Sequence, residues 1–281
     1  MRQFTPYLFL LLAASFLYSC KSAKLSDAEE KQRIGEYFEA AAIYRKVYTK
    51  TPPAKRDLRG YIAFRMAECN RLINNTPRAT SAYMNALRYK YPDSIVNLRL
   101  GQMYQKSGRY GEAVKYYNDY LLAEPGSVLA FNGVTGCEEA VKWKQSPTRY
   151  TVKRMDKFNS RRSEFSPMLY GEKYDQLYFA STRTPKGAGK DKEETNSAIT
   201  GQRNNDLFLV KQDENGAWLA PVELEDEVNT EFDEGTPSFS KDGNTMYYTY
   251  AHKIRKDRVP LKYTYPPVAV PNGEKELGQI S

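Results

Sequence analysis

The sequence predicts an α+β multidomain chain, an α-solenoid of stacked helical hairpins followed by an incomplete ring of β-blades. Three observations predict it. Small and large residues recur at fixed positions through residues 24–143, and the key alanines Ala40, Ala79 and Ala113 stand 39 and 34 residues apart. From Tyr150 onward the apolar period changes from helical to alternating. Within that second part, SEFSPMLYGEKYDQLYFAS (163–181) is echoed by DEGTPSFSKDGNTMYYTYA (233–251).

Residues 1–19 read as a cleaved leader. Arg2 supplies a positive start, and Tyr7 to Leu17 is an apolar core too short to span a bilayer permanently. The stretch ends Leu17-Tyr18-Ser19-Cys20, which resembles the bacterial lipoprotein signal. That resemblance implies lipidation of Cys20, which would become the first residue of the mature chain. Two or more acyl chains give stable anchoring where one does not. Lys21 stands where a retention aspartate would hold the chain at the inner membrane, so the expected location is the outer membrane, facing the periplasm.

Residues 20–144 carry the helical repeat. In GQMYQKSGRYGEAVKYYNDYLLAEP (101–125), Gly101 and Ala113 let two antiparallel helices approach, and tyrosines fill the gaps. Gly108 ends the first helix and Pro125 stops the second. The pattern recurs with Gly35, Tyr37, Ala40, Tyr44, Val47 and Pro52, and again with Ala67, Ala79, Tyr83 and Ala86. This middle copy has Thr76-Pro77 where a Gly-x-Tyr turn would sit. A seventh helix, roughly Ser127 to Lys144, closes the stack. The positions resemble the tetratricopeptide repeat, whose three copies and cap suffice for a stable solenoid. The resemblance implies partner binding in a groove lined by the first helices, where Tyr61, Phe64, Arg71, Gln102, Gln105 and Lys106 would face the ligand. The Lys/Asn set that clamps a C-terminal carboxylate in chaperone-binding members is absent.

Charge divides with the domains. Residues 21–144 carry 21 Lys+Arg and 13 Asp+Glu, whereas residues 145–281 carry 20 and 21. Export excludes nucleic acid as the partner of the basic half. An anionic protein face, a lipid headgroup, a cell-wall polymer or simply solvated helix faces remain. Cys69 and Cys137 fall inside helical patterns and read as buried small hydrophobes rather than a bridge.

Residues 145–251 read as strands: QLYFAS (176–181), NDLFLVK (205–211), AWLAPVEL (217–224), TPSFS (236–240) and TMYYTY (245–250). Asn215-Gly216 and Asp242-Gly243 mark hairpin turns. The stretch 184–205 between two of these runs has no apolar period and reads as a mobile loop. The repeated unit resembles blades of TolB-type and WD-type β-propellers. One blade and the start of a second are present, a partial β-propeller that cannot close and leaves open edges. Residues 252–281 lose the pattern and hold four prolines, so this irregular tail is expected to be a truncation within a longer propeller.

The order of leader, tetratricopeptide repeats and propeller resembles the PorE-like type IX secretion lipoproteins of Bacteroidetes over residues 1 to about 250. Those proteins continue into a carboxypeptidase-regulatory-like and an OmpA-like, peptidoglycan-binding domain. The resemblance implies a non-catalytic scaffold that binds secretion-system or other envelope proteins and reaches peptidoglycan only through that missing C-terminal domain. The alternative is a fragment of a propeller-containing peptidase or its accessory lipoprotein, which a downstream Gly-x-Ser-x-Gly would mark.

No catalytic constellation is visible. His252 is the single histidine, which excludes histidine-based triads and histidine-rich zinc sites of the usual kinds. Gly187-Ala188-Gly189-Lys190 mimics a phosphate loop, but Thr184 and Asp191 break its ends. VELEDEVNTEFDEG (222–235) holds seven carboxylates without EF-hand spacing and reads as a solvated loop. The sequence therefore implies no enzyme, no cofactor and no metal.

Overall fold

The computed structural model describes residues 23–184, 196–225, 227–230 and 232–251. Cys20 and the leader, most of the polar stretch after Thr184, and the tail with His252 lie outside the described residues. The chain divides into two compact units. One holds residues 1–161 and 182–204, the other 162–181 and 205–281.

The first unit contains seven helices among the described residues. They are α1 (Leu25–Arg33), α2 (Tyr37–Lys50), α3 (Arg56–Leu72), α4 (Thr76–Arg88), α5 (Ile95–Lys106), α6 (Tyr110–Ala123) and α7 (Val128–Gln145). Each packs against the next, and α5 also touches α7. The result is three helical hairpins and a closing helix, a tetratricopeptide-like solenoid.

The turns explain the repeat. Gly35, Asn74 and Gly108 all have positive φ (84°, 63° and 71°) and stand at equivalent positions. Each joins the first helix of a hairpin to the second by the same pair of backbone bonds, Asn74 N–H to Arg71 and Asn75 N–H to Asn70 in the middle copy. Asparagine tolerates the left-handed region, so it replaces glycine there. Asn75 then caps α4, its Oδ1 accepting from the Arg78 amide, with Pro77 in the first turn. The middle copy thus makes the same turn with different chemistry.

Packing follows the small-and-large pattern. Ala40, Ala79 and Ala113 are fully buried, as are Tyr44 and Tyr83, with Tyr117 nearly so. Each ring removes about 150–250 Å² from water, roughly 4–6 kcal/mol before the entropy cost of ordering it. Cys69 and Cys137 are buried and unbridged. Burial pushes the Cys69 thiol up to about 12, so it is unreactive as a nucleophile.

One part of the expected mobile loop is built into this unit. Ala198 and Ile199 carbonyls accept from the first amides of α2, at Phe38 and Glu39, where no side chain caps the helix. Gly201 lies against the Phe38 ring with φ 70°. The segment lacks an apolar period because it docks through backbone carbonyls and a glycine. Residues 182–204 accordingly belong to the same compact unit as the helices.

The second unit contains β1 (Glu164–Tyr170), β2 (Gln176–Ser181), β3 (Asp206–Lys211), β4 (Val222–Glu223), β5 (Asp233–Phe239) and β6 (Met246–Ala251). Strands β1 to β4 form one antiparallel sheet in chain order, and β5 and β6 form a second. These sheets are not closed on themselves. Strand β5 packs against β1, β2 and β3, with Phe239 against Tyr170 and Tyr178 and Gly235 beside Phe165 and Ala180.

The expected strand 217–224 is reduced to Val222–Glu223. Asp213 Oδ1 accepts from the Asn215 and Ala217 amides, which tightens the Asn215-Gly216 turn and leaves only a Gln212–Trp218 bridge beyond it. Pro221 then lacks the amide a ladder needs. The acidic run is not wholly a solvated loop either. Glu234 is completely buried in β5, and Asn229 ties Leu207 by two side-chain hydrogen bonds.

Candidate functional site

The first helices α3 and α5 carry the residues that the sequence placed in a ligand groove. Their geometry is set by the three equivalent tyrosines of the second helices. Tyr44 Oη donates to Gln32 Oε1 at 2.9 Å, and Tyr117 Oη to Gln105 Oε1 at 2.6 Å. Gln32, Arg71 and Gln105 are equivalent in the repeat. Arginine has no acceptor, so Tyr83 cannot make the same bond. Tyr83 donates instead to Glu68.

Glu68 becomes the hub of the middle repeat. Its second oxygen meets Arg71 Nη2 at 2.7 Å, and Arg99 Nε lies 3.2 Å from Oε1. The Arg99 contact is an ion pair by distance without hydrogen-bond alignment, because Arg99 Nε is buried and has no hydrogen-bond partner. Arg99 Nη1 donates to Gln102 Oε1 at 3.1 Å. Burial alone would raise the Glu68 pKa. Hydrogen bonds from Arg71 and Tyr83, with the charges of Arg71 and Arg99, outweigh burial and hold it below its ordinary value. Tyr83 is pushed up, first by burial and then by the Glu68 charge.

The remaining expected residues are also engaged. Tyr61 Oη donates to Glu29 Oε1 at 2.8 Å, linking α3 to α1, and burial leads in raising it to about 12. Phe64 stacks on Tyr91 with ring centroids 4.5 Å apart. Lys106 Nζ donates to Asn74 Oδ1 at the α3–α4 turn. Arg71 and Gln102 therefore share one network through Glu68 and Arg99. Tyr61, Phe64, Gln105 and Lys106 each belong to a separate contact. Glu68 and Arg99 were not among the expected residues. The signal for them was the break in the repeat, arginine at 71 where the other copies have glutamine.

Solved structures similar to this chain include a crystal structure of MamA, 16% identical with a TM-score of 0.38, covering 43% of this chain and 68% of that one. The Sgt2 TPR domain from Aspergillus fumigatus is also 16% identical, with a TM-score of 0.37 over 51% of this chain and 93% of its own. The C-terminal TPR-containing domain of a Plasmodium falciparum protein has a TM-score of 0.39 at 16% identity, over 45% and 92%. No family model matches the chain, and no curated protein matches it. The helical geometry of the chain itself carries the tetratricopeptide-like fold.

Chemically, this face can hold and orient a polar surface. Among the described residues no group of three or more His, Cys, Asp or Glu could hold a metal ion. No described helix is long and apolar enough to cross a membrane.

Proposed function

We propose that the chain is a non-catalytic scaffold that binds partner proteins through its helical repeats. The observation that supports this reading is the polar network across α3 and α5, in which Glu68 joins Arg71 and Arg99 and Arg99 joins Gln102, with the separate Glu29–Tyr61 contact linking α1 to α3. Such a network fixes side chains in defined positions without any group placed for bond making. In the finer reading, Cys20 carries a lipid that holds the chain at the outer membrane, facing the periplasm. Its partners are then envelope proteins, of the type IX secretion kind, and residues 145–251 belong to a partial propeller.

Photo-crosslinking residues placed at Gln102 and at Lys144 in cells would test the contact surface. Envelope proteins captured at Gln102 and not at Lys144 are expected; equal capture at both removes the inner face from the interaction. Lys106→Glu is the cleaner charge reversal, because Lys106 is exposed whereas Arg71 is tied to Glu68. The anchor is tested separately. Cys20→Ser is expected to move the protein from the membrane pellet to the soluble fraction, and an unchanged pellet would exclude lipidation there.

A further inference from the structure

An open groove of about 780 Å³ lies between α2 and α4, the second helices of the first two hairpins. The lining residues Ala42, Arg45, Lys46 and Thr49 fall at i, i+3, i+4 and i+7, one face of α2. On α4, Arg78, Ser81, Ala82 and Asn85 show the same spacing. Ala41, Ala82, Met66 and Ile73 make the groove partly apolar, Met66 from α3 and Ile73 from the residue that ends it. Arg45, Lys46, Lys50 and Arg78 supply four cations, and no carboxylate lines it.

These cations differ from those of the inner face. There, Arg71 and Arg99 are held by Glu68, and Lys106 by Asn74. The side chains of Arg45, Lys46, Lys50 and Arg78 are exposed and make no ion pair or hydrogen bond with any described residue. Four like charges around one recess repel one another, and an anionic occupant relieves that repulsion. The recess also has apolar surface between two helices, which suits the apolar face of an amphipathic segment. A flat headgroup layer would meet the cations and leave that surface uncovered.

We propose that this groove docks an acidic amphipathic segment of a partner protein, its carboxylates against Arg45, Lys46, Lys50 and Arg78 and its apolar side chains on Met66 and Ile73. This rests on the reading of the helical unit as a partner-binding module, and it moves the anionic contact from the first helices to the second.

The probe is a fluorescein-labelled synthetic helix with leucine at i, i+3, i+4 and i+7 and glutamate elsewhere, titrated with the full chain by polarisation. A second probe carries lysine in place of glutamate. The acidic probe is expected to bind, more weakly as salt rises, and the lysine probe not to. Lys46→Gln with Arg78→Gln should weaken binding about tenfold, whereas Lys115→Gln with Lys144→Gln, the same loss of charge elsewhere on the helices, should change it less than about twofold. Equal weakening by the two pairs overturns the proposal, as does equal binding of both probes. Vesicles of anionic phospholipid that bind the chain and are not displaced by the acidic probe overturn it in favour of a lipid surface. If Lys106→Glu weakens the probe and the groove pair does not, the groove is excluded while the binding-module reading stands.

Discussion

Ser166 and Thr236 occupy the same position in two copies of one strand hairpin, and their hydroxyl oxygens stand 3.4 Å apart. Each precedes a proline, each sits where the register of its hairpin shifts, and each has φ 52°. A β-branched residue at positive φ is strained, by about 1–3 kcal/mol. Thr236→Gly should therefore raise the denaturation midpoint of the sheet unit, read from Trp218 fluorescence in a Trp143→Phe background. Thr236→Val keeps the branch, loses the hydroxyl, and should lower it. Equal losses in the two variants would mean that the hydroxyl contact outweighs the backbone.

Tyr117 is pressed between two glycines on different helices. A Cβ at Gly101 would lie 2.6 Å from the ring, and one at Gly133 would lie 2.5 Å from it. Alanine is the better helix former, so propensity favours both changes by about 1 kcal/mol. Overpacking a rigid ring costs about 1–3 kcal/mol and should win. Gly101→Ala and Gly133→Ala are expected to lower the melting temperature followed by far-UV circular dichroism. Gly111, in α6 with open space around it, is the counter-case. Gly111→Ala should be neutral or stabilising, and a loss there as large as at Gly101 would show that crowding of Tyr117 is not the cause.

These two sites show what was legible in the letters. Gly101, Ala113 and Tyr117 announce close helix approach because only small residues and a ring fit together there. Gly35 and Gly108 announce turns, but Asn74 does so only once the repeat register is laid over it. Glu68 stayed hidden because a glutamate on a helix reads as solvated; its burial follows from arginine at 71, a relation between copies. Glu234 stayed hidden for a similar reason, since six other carboxylates surround it in sequence. Its equivalence to Glu164 was the available signal. The docking of 196–202 on α2 had none, because backbone carbonyls make it.

Glu68 makes the helical unit acid-sensitive. Its folded pKa lies below the ordinary 4.5, so its contribution is present above the unfolded value and is lost as pH falls through the folded one. Glu68→Ala leaves Arg71, Arg99 and the Tyr83 hydroxyl without their acceptor and should cost about 2–4 kcal/mol at neutral pH. Glu68→Gln should cost less and flatten the loss of stability below about pH 4.5. Urea melts of both variants followed by circular dichroism at two pH values check this. An acid slope unchanged in Glu68→Gln would place the sensitive group elsewhere.

Glu234 gives the sheet unit the opposite dependence. Its carboxyl is buried, with Oε1 accepting from Thr230 Oγ1 at 2.6 Å and Oε2 without a hydrogen-bond partner. Burial raises its pKa above 4.5, the Thr230 hydrogen bonds oppose that, and the charges of Asp206 and Asp233 add to it. A carboxyl raised on folding contributes stability that is fully present below the unfolded pKa and lost as pH rises through the folded one. Trp218 fluorescence should therefore report a sheet unit that weakens as pH rises from the ordinary carboxylate range toward neutrality, while the Glu68 contribution to the helical unit, already complete above its unfolded value, stays level over that range. Glu234→Gln keeps the shape of the protonated acid and should remove the decline, raising the midpoint at neutral pH toward its acidic value. A sheet unit that instead weakens on acidification in the wild type, or a decline that survives Glu234→Gln, would show that the buried carboxyl does not control it.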